Sequence, residues 1–475
     1  MTSEKELAGT AKENSLGVEK IGRLCLKMGI PCVLAQVVNL LYNIVDRIYI
    51  GNMPANGSAA LAGLGLCAPV LTLIAAFSSF VSGGGAPLAA KALGEGNTLR
   101  ARKILNNGFV LLLVFSVTLG LTAYLARKPI LLCIGADENT TYAYAEQYLS
   151  VYLTGTLFVQ LSVGLNTFLT AQGKSGIAMA GVMIGAGLNI ALDPLFIFVF
   201  DGGIKGAALA TVLSQSASCA FVIAALCGKK ITMRLSVRHM KPNAAVIAGI
   251  FGLGLAPFVM AATESVIGFV LNGRLKHYGD LVGEGNGDLH VSVLAILQSV
   301  MMLITVPVQG FTQGVTPIIS YNFGAKKKER LKRTYFITLG VSWAYCCLSA
   351  VLMMSVPRLF GRLFTPDAQL LALVEKYLPV FVSGMLIFGI QRACQTTFVA
   401  VTEAKISLFI AILRKILLLV PFAFLFPLGM GVSGVYWAEC VADCTAATLC
   451  SVIFFFRFRM ILRKLDENTQ EKAAE

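Results

Sequence analysis

Charge is what this sequence has least of for its size. Asp, Glu, Lys and Arg make up 13% of its 475 residues, where soluble globular domains carry about a quarter. With a hydrophobic share of 56% and a mean hydropathy of +0.75, that scarcity excludes a soluble globular chain and selects an integral membrane protein. Histidine is scarce too: His239, His277 and His290 are the only three, too scattered for a metal site. None of the 12 cysteines forms a Cys-x-x-Cys pair, so Cys32, Cys67, Cys219, Cys346, Cys347, Cys440 and Cys444 read as small apolar packing residues. There is no P-loop, so a nucleotide does not supply the energy. Paired Asp motifs for magnesium and a loop-borne nucleophile with its base are also missing, which excludes membrane transferases. No enzyme activity and no cofactor are expected. Met1 to Arg23 lacks the apolar core and small-residue cleavage site of a secretory signal, and is expected to be retained.

What is present is a succession of apolar runs of the length that crosses ~30 Å of hydrocarbon as a helix. They fall at 24–50, 59–90, 104–126, 147–171, 177–200, 204–227, 245–272, 289–322, 335–357, 376–401, 406–428 and 432–456. The expected fold is an all-α integral membrane protein with twelve transmembrane helices. Most of the 39 Lys and Arg lie on the side of the termini, and the positive-inside rule places both termini in the cytoplasm. The net charge of +14 is therefore topological and no nucleic-acid partner is expected.

The runs form two related sets. Pro87 to Gly94 matches Pro317 to Gly324, Tyr148 and Gly155 match Tyr377 and Gly384, and Gly203 and Gly206 match Gly431 and Gly434, at offsets drifting from 230 to 228. Pro31 and Pro257 continue the series at 226. Six spans being even, both sets enter the membrane from one side, so they are parallel six-helix repeats, a 6+6 arrangement. The expected organisation is a cytoplasmic tail 1–23, an N-lobe 24–227, a cytoplasmic linker 228–244, a C-lobe 245–456 and a cytoplasmic tail 457–475. The linker, with Lys229, Lys230, Arg234, Arg238, His239 and Lys241, reads as a solvated charged loop.

Polar groups inside these spans are few, and each is costly enough to mark a cavity or a partner. In the first span Gln36, Asn39, Tyr42, Asn43 and Asp46 share one helical face beyond Pro31. In the fifth, Asn189 and Asp193 lie one turn apart before Pro194, whose missing N–H frees a backbone acceptor. A dehydrated carboxylate holds a proton more readily than a hydrated one. Proton and cationic cargo then compete for one charge, which is the essence of antiport. In the second set Glu264 lies mid-span, with Gln298, Gln309 and Gln313 in the eighth span and Gln391, Arg392 and Gln395 in the tenth. Glu264 either attracts cargo or pairs with Arg392. Arg414 and Lys415 face the prospect of neutralising Glu439 and Asp443 as an interhelical lock.

The run Pro31, Gln36, Leu41 to Asp46 and Gly51, followed by Ala60 to Gly65, resembles the first span and loop of the multidrug and toxic compound extrusion (MATE) family. Gly94 to Asn97 and the Asn189, Asp193 and Pro194 trio are similar too. The resemblance implies a V-shaped antiporter that exports small organic cations against protons or sodium ions across a bacterial cytoplasmic membrane. It assigns cation coupling to Asp46, Asn189 and Asp193, with sodium bound there if sodium is the coupling ion and no other metal. It leaves Gln36, Asn39, Tyr42, Asn43, Glu264, Gln298, Gln309 and Gln391 as cargo contacts. Where one branch of the family has an acidic residue in span ten, this chain has Phe388 to Gln391, which moves the weight to the N-lobe. Membrane lipids are the only further partner, and action as a monomer is expected. The alternative is a flippase for a lipid-linked precursor, which shares the bundle but needs basic cavity residues.

Overall fold

The computed structural model describes residues 15–53, 57–134, 141–229, 231–283 and 285–474, without the side chains of Ser265 and 468–474. Residues 1–14 of the expected N-terminal tail and Lys230 of the linker lie outside them. Among the described residues the long elements are all helices. In chain order the spans are α1 Ile21–Gly51, α2 Gly57–Gly94, α3 Thr98–Leu125, α4 Thr141–Ala171, α5 Ser175–Val199 and α6 Gly203–Cys227. There follow α7 Ala244–Asp280, α8 Asn286–Gly324, α9 Lys328–Ser355, α10 Ala368–Ala400, α11 Ala404–Met430 and α12 Val432–Ala474. Among the described residues eleven helices are long and apolar enough to cross a membrane, and α4 makes the twelfth when its two segments, bent by 59°, count as one span.

The bend in α4 falls at Gly155. A side chain there would strike Val212 of α6, so glycine lets the α4 backbone pack directly against the Val212 side chain. The expected straight run 147–171 is thus broken and starts earlier, because hydropathy carries no signal for a bend. The expected tail 457–475 likewise continues α12 as helix to Ala474. Nothing caps α12 where its apolar stretch ends, and Lys328 Nζ holds Asp466 at 2.6 Å.

Each half builds its own core. Leu149, Leu153, Ile197 and Ala207 pack in the first, and Leu297, Val300, Phe381 and Ala438 in the second. The halves meet crosswise, α1 against α8 and α2 against α7. Glycines make the approach, since lipid gives no hydrophobic drive and close backbone packing must supply the attraction. A Cβ on Gly84 would collide with the Ile250 carbonyl of α7, and one on Gly254 with the Phe80 carbonyl of α2. Gly94 and Gly324, the ends of the two repeated motifs, meet Tyr321 and Lys91 of the opposite half in the same way. The repeat seen in sequence is therefore a pseudo-twofold contact near the end of the bundle that carries the termini.

The linker is not the solvated loop its charges suggested. Asn106 and Asn107 of α3 accept from the Ser236 and Asn243 amides, both at 2.8 Å, and Gln172 accepts from the Met233 amide at 2.9 Å. Met233 is fully buried. Two apolar side chains, Ile231 and Met233, anchor the strap in the first half, and three amides satisfy its backbone donors.

Candidate functional site

The polar face of α1 turns inward. Gln36, Asn39 and Tyr42 line a cavity of about 110 Å³ with Asn166 of α4, Gln215 of α6 and Gln313 of α8, room for several waters. Gln36 Nε2 donates to Gln313 Oε1 at 2.8 Å, so one wall joins the two halves. Asn43 instead turns back along its own helix, where its Nδ2 donates to the Asn39 carbonyl at 2.6 Å, and stays exposed.

One turn beyond Tyr42 comes Asp46, 8% exposed, while α5 contributes Asn189 at 2% and Asp193 at 0%. The α-helical part of α5 ends at Pro194 and runs into a π-turn, Leu195–Val199, the kind of irregularity that collects at functional sites. Asn189 Nδ2 donates to Asp193 Oδ1 at 3.1 Å and to Thr211 Oγ1 of α6 at 3.4 Å. Asp46 and Asp193 lie within electrostatic reach of each other, and Tyr42 within reach of both. Three oxygens, Asp46 Oδ1, Asn189 Oδ1 and Asp193 Oδ2, are sealed from solvent without a hydrogen-bond partner. Arg47 is exposed and forms no ion pair with Asp46 among the described residues. Unpartnered buried oxygens cost free energy, and a proton or a cation would relieve it.

The second half treats its carboxylates differently. Arg414 grips Asp443 through two bonds, at 2.6 and 2.9 Å, and Lys415 Nζ stands 3.5 Å from Glu439 and 3.6 Å from Glu264. Of the two readings of Glu264, the pair with Arg392 is absent among the described residues. Glu264 takes Lys415 instead because both Arg414 and Lys415 ride the π-turn Leu413–Leu419, which sets them side by side toward α7 and α12. Gln391 is buried, Gln298 half-buried and Gln309 exposed, and none of them lines the cavity of the first half.

No group of three or more His, Cys, Asp or Glu gathers as a metal site among the described residues. A sodium ion at Asp46 and Asp193 would therefore draw on neutral oxygens as well, for which Asn189 Oδ1 is free of hydrogen bonds. Sequence reading missed Ser162, Asn166, Thr211, Gln215 and Ser218, which complete the cavity or brace its acids. Their spacing of three and four was a signal of one polar face, though without charge it is weak.

The MatE family profile matches residues 31–195 and 259–425. The multidrug export protein MepA of Staphylococcus haemolyticus (strain JCSC1435) is 26% identical, over 94% of this chain and 96% of its own length. MepA of Staphylococcus aureus (strain MSSA476) is 25% identical, over 94% and 95%. Among solved structures, the outward-facing conformation of a multidrug resistance MATE family transporter of the MOP superfamily superposes with a TM-score of 0.88 at 23% identity, covering 95% of this chain and 99% of that one. The chain belongs to the MatE family, and it is a multi-pass bacterial membrane transporter of the multidrug efflux class, not an enzyme.

Proposed function

We propose that the chain exports small organic cations in exchange for protons or sodium ions, with Asp46, Asn189 and Asp193 as the coupling group and Gln36, Asn39 and Tyr42 as cargo contacts. The observation that carries this reading is a contrast in charge. Among the described residues the buried carboxylates of the first half form no ion pair, the exposed Arg47 acting on Asp46 only at a distance, whereas Asp443 and Glu439 of the second are neutralised by Arg414 and Lys415. Uncompensated negative charge beside a polar cavity attracts a cation, and the unpartnered oxygens accept whichever cation arrives. Occupation by the coupling ion and occupation by cargo exclude each other, so each ion entering at the coupling group releases cargo. Exchange of one monovalent cation for another moves no net charge, so the drive is the coupling ion's own concentration gradient, worth about 1.4 kcal/mol per tenfold. In this reading both termini face the cytoplasm, as the Lys and Arg distribution supports. The flippase alternative would want basic groups where this cavity presents amides and hydroxyls, with Asp46 one turn beyond its Tyr42.

The test is efflux of a fluorescent organic cation from proteoliposomes under a pH gradient or a sodium gradient alone. Wild type is expected to respond to one of them, and Asp46→Asn to lose that response about 100-fold. Transport unchanged in the variant would remove Asp46 from coupling.

A further inference from the structure

The repeat relates positions in the two halves, and it identifies a second polar surface. At the offset of 229 that pairs Tyr148 with Tyr377, the cavity-lining Ser162, Val163 and Asn166 correspond to Gln391, Arg392 and Gln395 of α10. At the offset of 228 that pairs Gly203 with Gly431, Thr211 and Gln215 correspond to Glu439 and Asp443 of α12. Of these five neutral positions of the first half, three are charged in the second: Arg392, Glu439 and Asp443.

Most of that charge is consumed locally. Arg414 belongs to Asp443, and Lys415 to Glu439 and Glu264. Arg392 is the exception. It has no hydrogen bond or ion pair among the described residues, its Nε is sealed from solvent without a partner, and the charged group acting on it is the like-charged guanidinium of Arg414. Arg392 is half-buried, and its guanidinium, beside another cation and without an anion, lacks the planar acceptor its donor fork matches. Glu264 of α7, which like Arg392 lies near Arg414, keeps its side chain 60% exposed even while it faces Lys415.

We propose that Arg392 is the anion-recognising residue of a second cargo subsite in the C-terminal half, which takes the carboxylate of an amphoteric organic cation. The fork of the guanidinium pairs with the carboxylate, and the exposed Glu264 meets the cationic part of the same molecule. Cargo without a carboxylate gains nothing from Arg392 and is repelled by it. The subsite widens the proposed cation export to zwitterions and so rests on that reading, but equilibrium binding without any gradient tests it independently of transport.

The experiment measures dye binding to the purified protein by fluorescence anisotropy, with a matched rhodamine pair: a cationic ethyl ester and its zwitterionic free acid. Arg392→Met is expected to weaken the free acid about 10-fold while leaving the ester within about 2-fold. Equal loss of both dyes, with the protein still folded by thermal unfolding, or no loss of either, would overturn the proposal. Should Arg392→Met not fold, Arg392→Lys decides, since it keeps the charge but not the fork. A selective weakening of the free acid by about 3-fold or more supports the subsite, and an unchanged preference between the dyes overturns it.

Discussion

Asp193 and Asp443 are both fully buried carboxylates near the middle of helical bundles, yet they do different work because of what stands beside them. Asp443 meets the fork of Arg414, whose plane also lies over Phe388 at 4.9 Å. Asp193 meets one amide and leaves an oxygen unpartnered. The first arrangement is stable and inert, the second costly and receptive. Asp443→Asn is expected to strand Arg414 and destabilise the protein by about 3–5 kcal/mol, read as a drop in unfolding temperature in detergent. The double change Arg414→Met with Asp443→Leu should restore most of that loss, because two apolar groups of similar volume leave no charge uncompensated. If the single variant melts with wild type, the pair is not structural.

At the scale of elements, irregularities place the chemistry. The π-turn after Pro194 sits one turn from Asn189, and the π-turn Leu413–Leu419 carries Arg414 and Lys415. Both lie in corresponding spans, so each half interrupts the same helix and uses the interruption for its polar group. The linker strap is the other device. Asn106 and Asn107, 0% and 2% exposed, belong to α3 but satisfy backbone donors of the connection between halves. Replacing both with Ala should free the strap and speed tryptic cleavage between Lys229 and Lys241 about 10-fold, since local opening governs such cleavage. Cleavage at the wild-type rate would mean that Ile231 and Met233 hold the strap without them. Charge made this segment read as solvent-exposed, because its two anchoring side chains are outnumbered by Lys and Arg.

At the scale of the whole molecule, the termini end is held shut by contacts between halves: Gln36 with Gln313, Lys91 Nζ with Thr402 Oγ1 at 3.2 Å, and the crossed backbones at Gly94 and Gly324. Transporters built of two repeat bundles exchange access by rocking one against the other, a motion in which these contacts would part once per cycle. Cysteines at positions 36 and 313 in a cysteine-depleted background, joined by a reducible bifunctional reagent, should arrest transport, with reductant restoring it; transport that survives the cross-link would show that this end need not open. The sequence by itself determined the class of protein, the number of spans, the duplication and the polar residues of α1 and α5. Those follow from hydropathy, the spacing of a helix face and self-similarity, all local properties of the chain. Only the tertiary structure decided that, among the described residues, Asp46 and Arg392 form no ion pair and Glu264 takes Lys415 instead of Arg392. Which charges meet depends on how distant helices rotate and cross, and the glycine contacts and π-turns that set those rotations act between segments hundreds of residues apart.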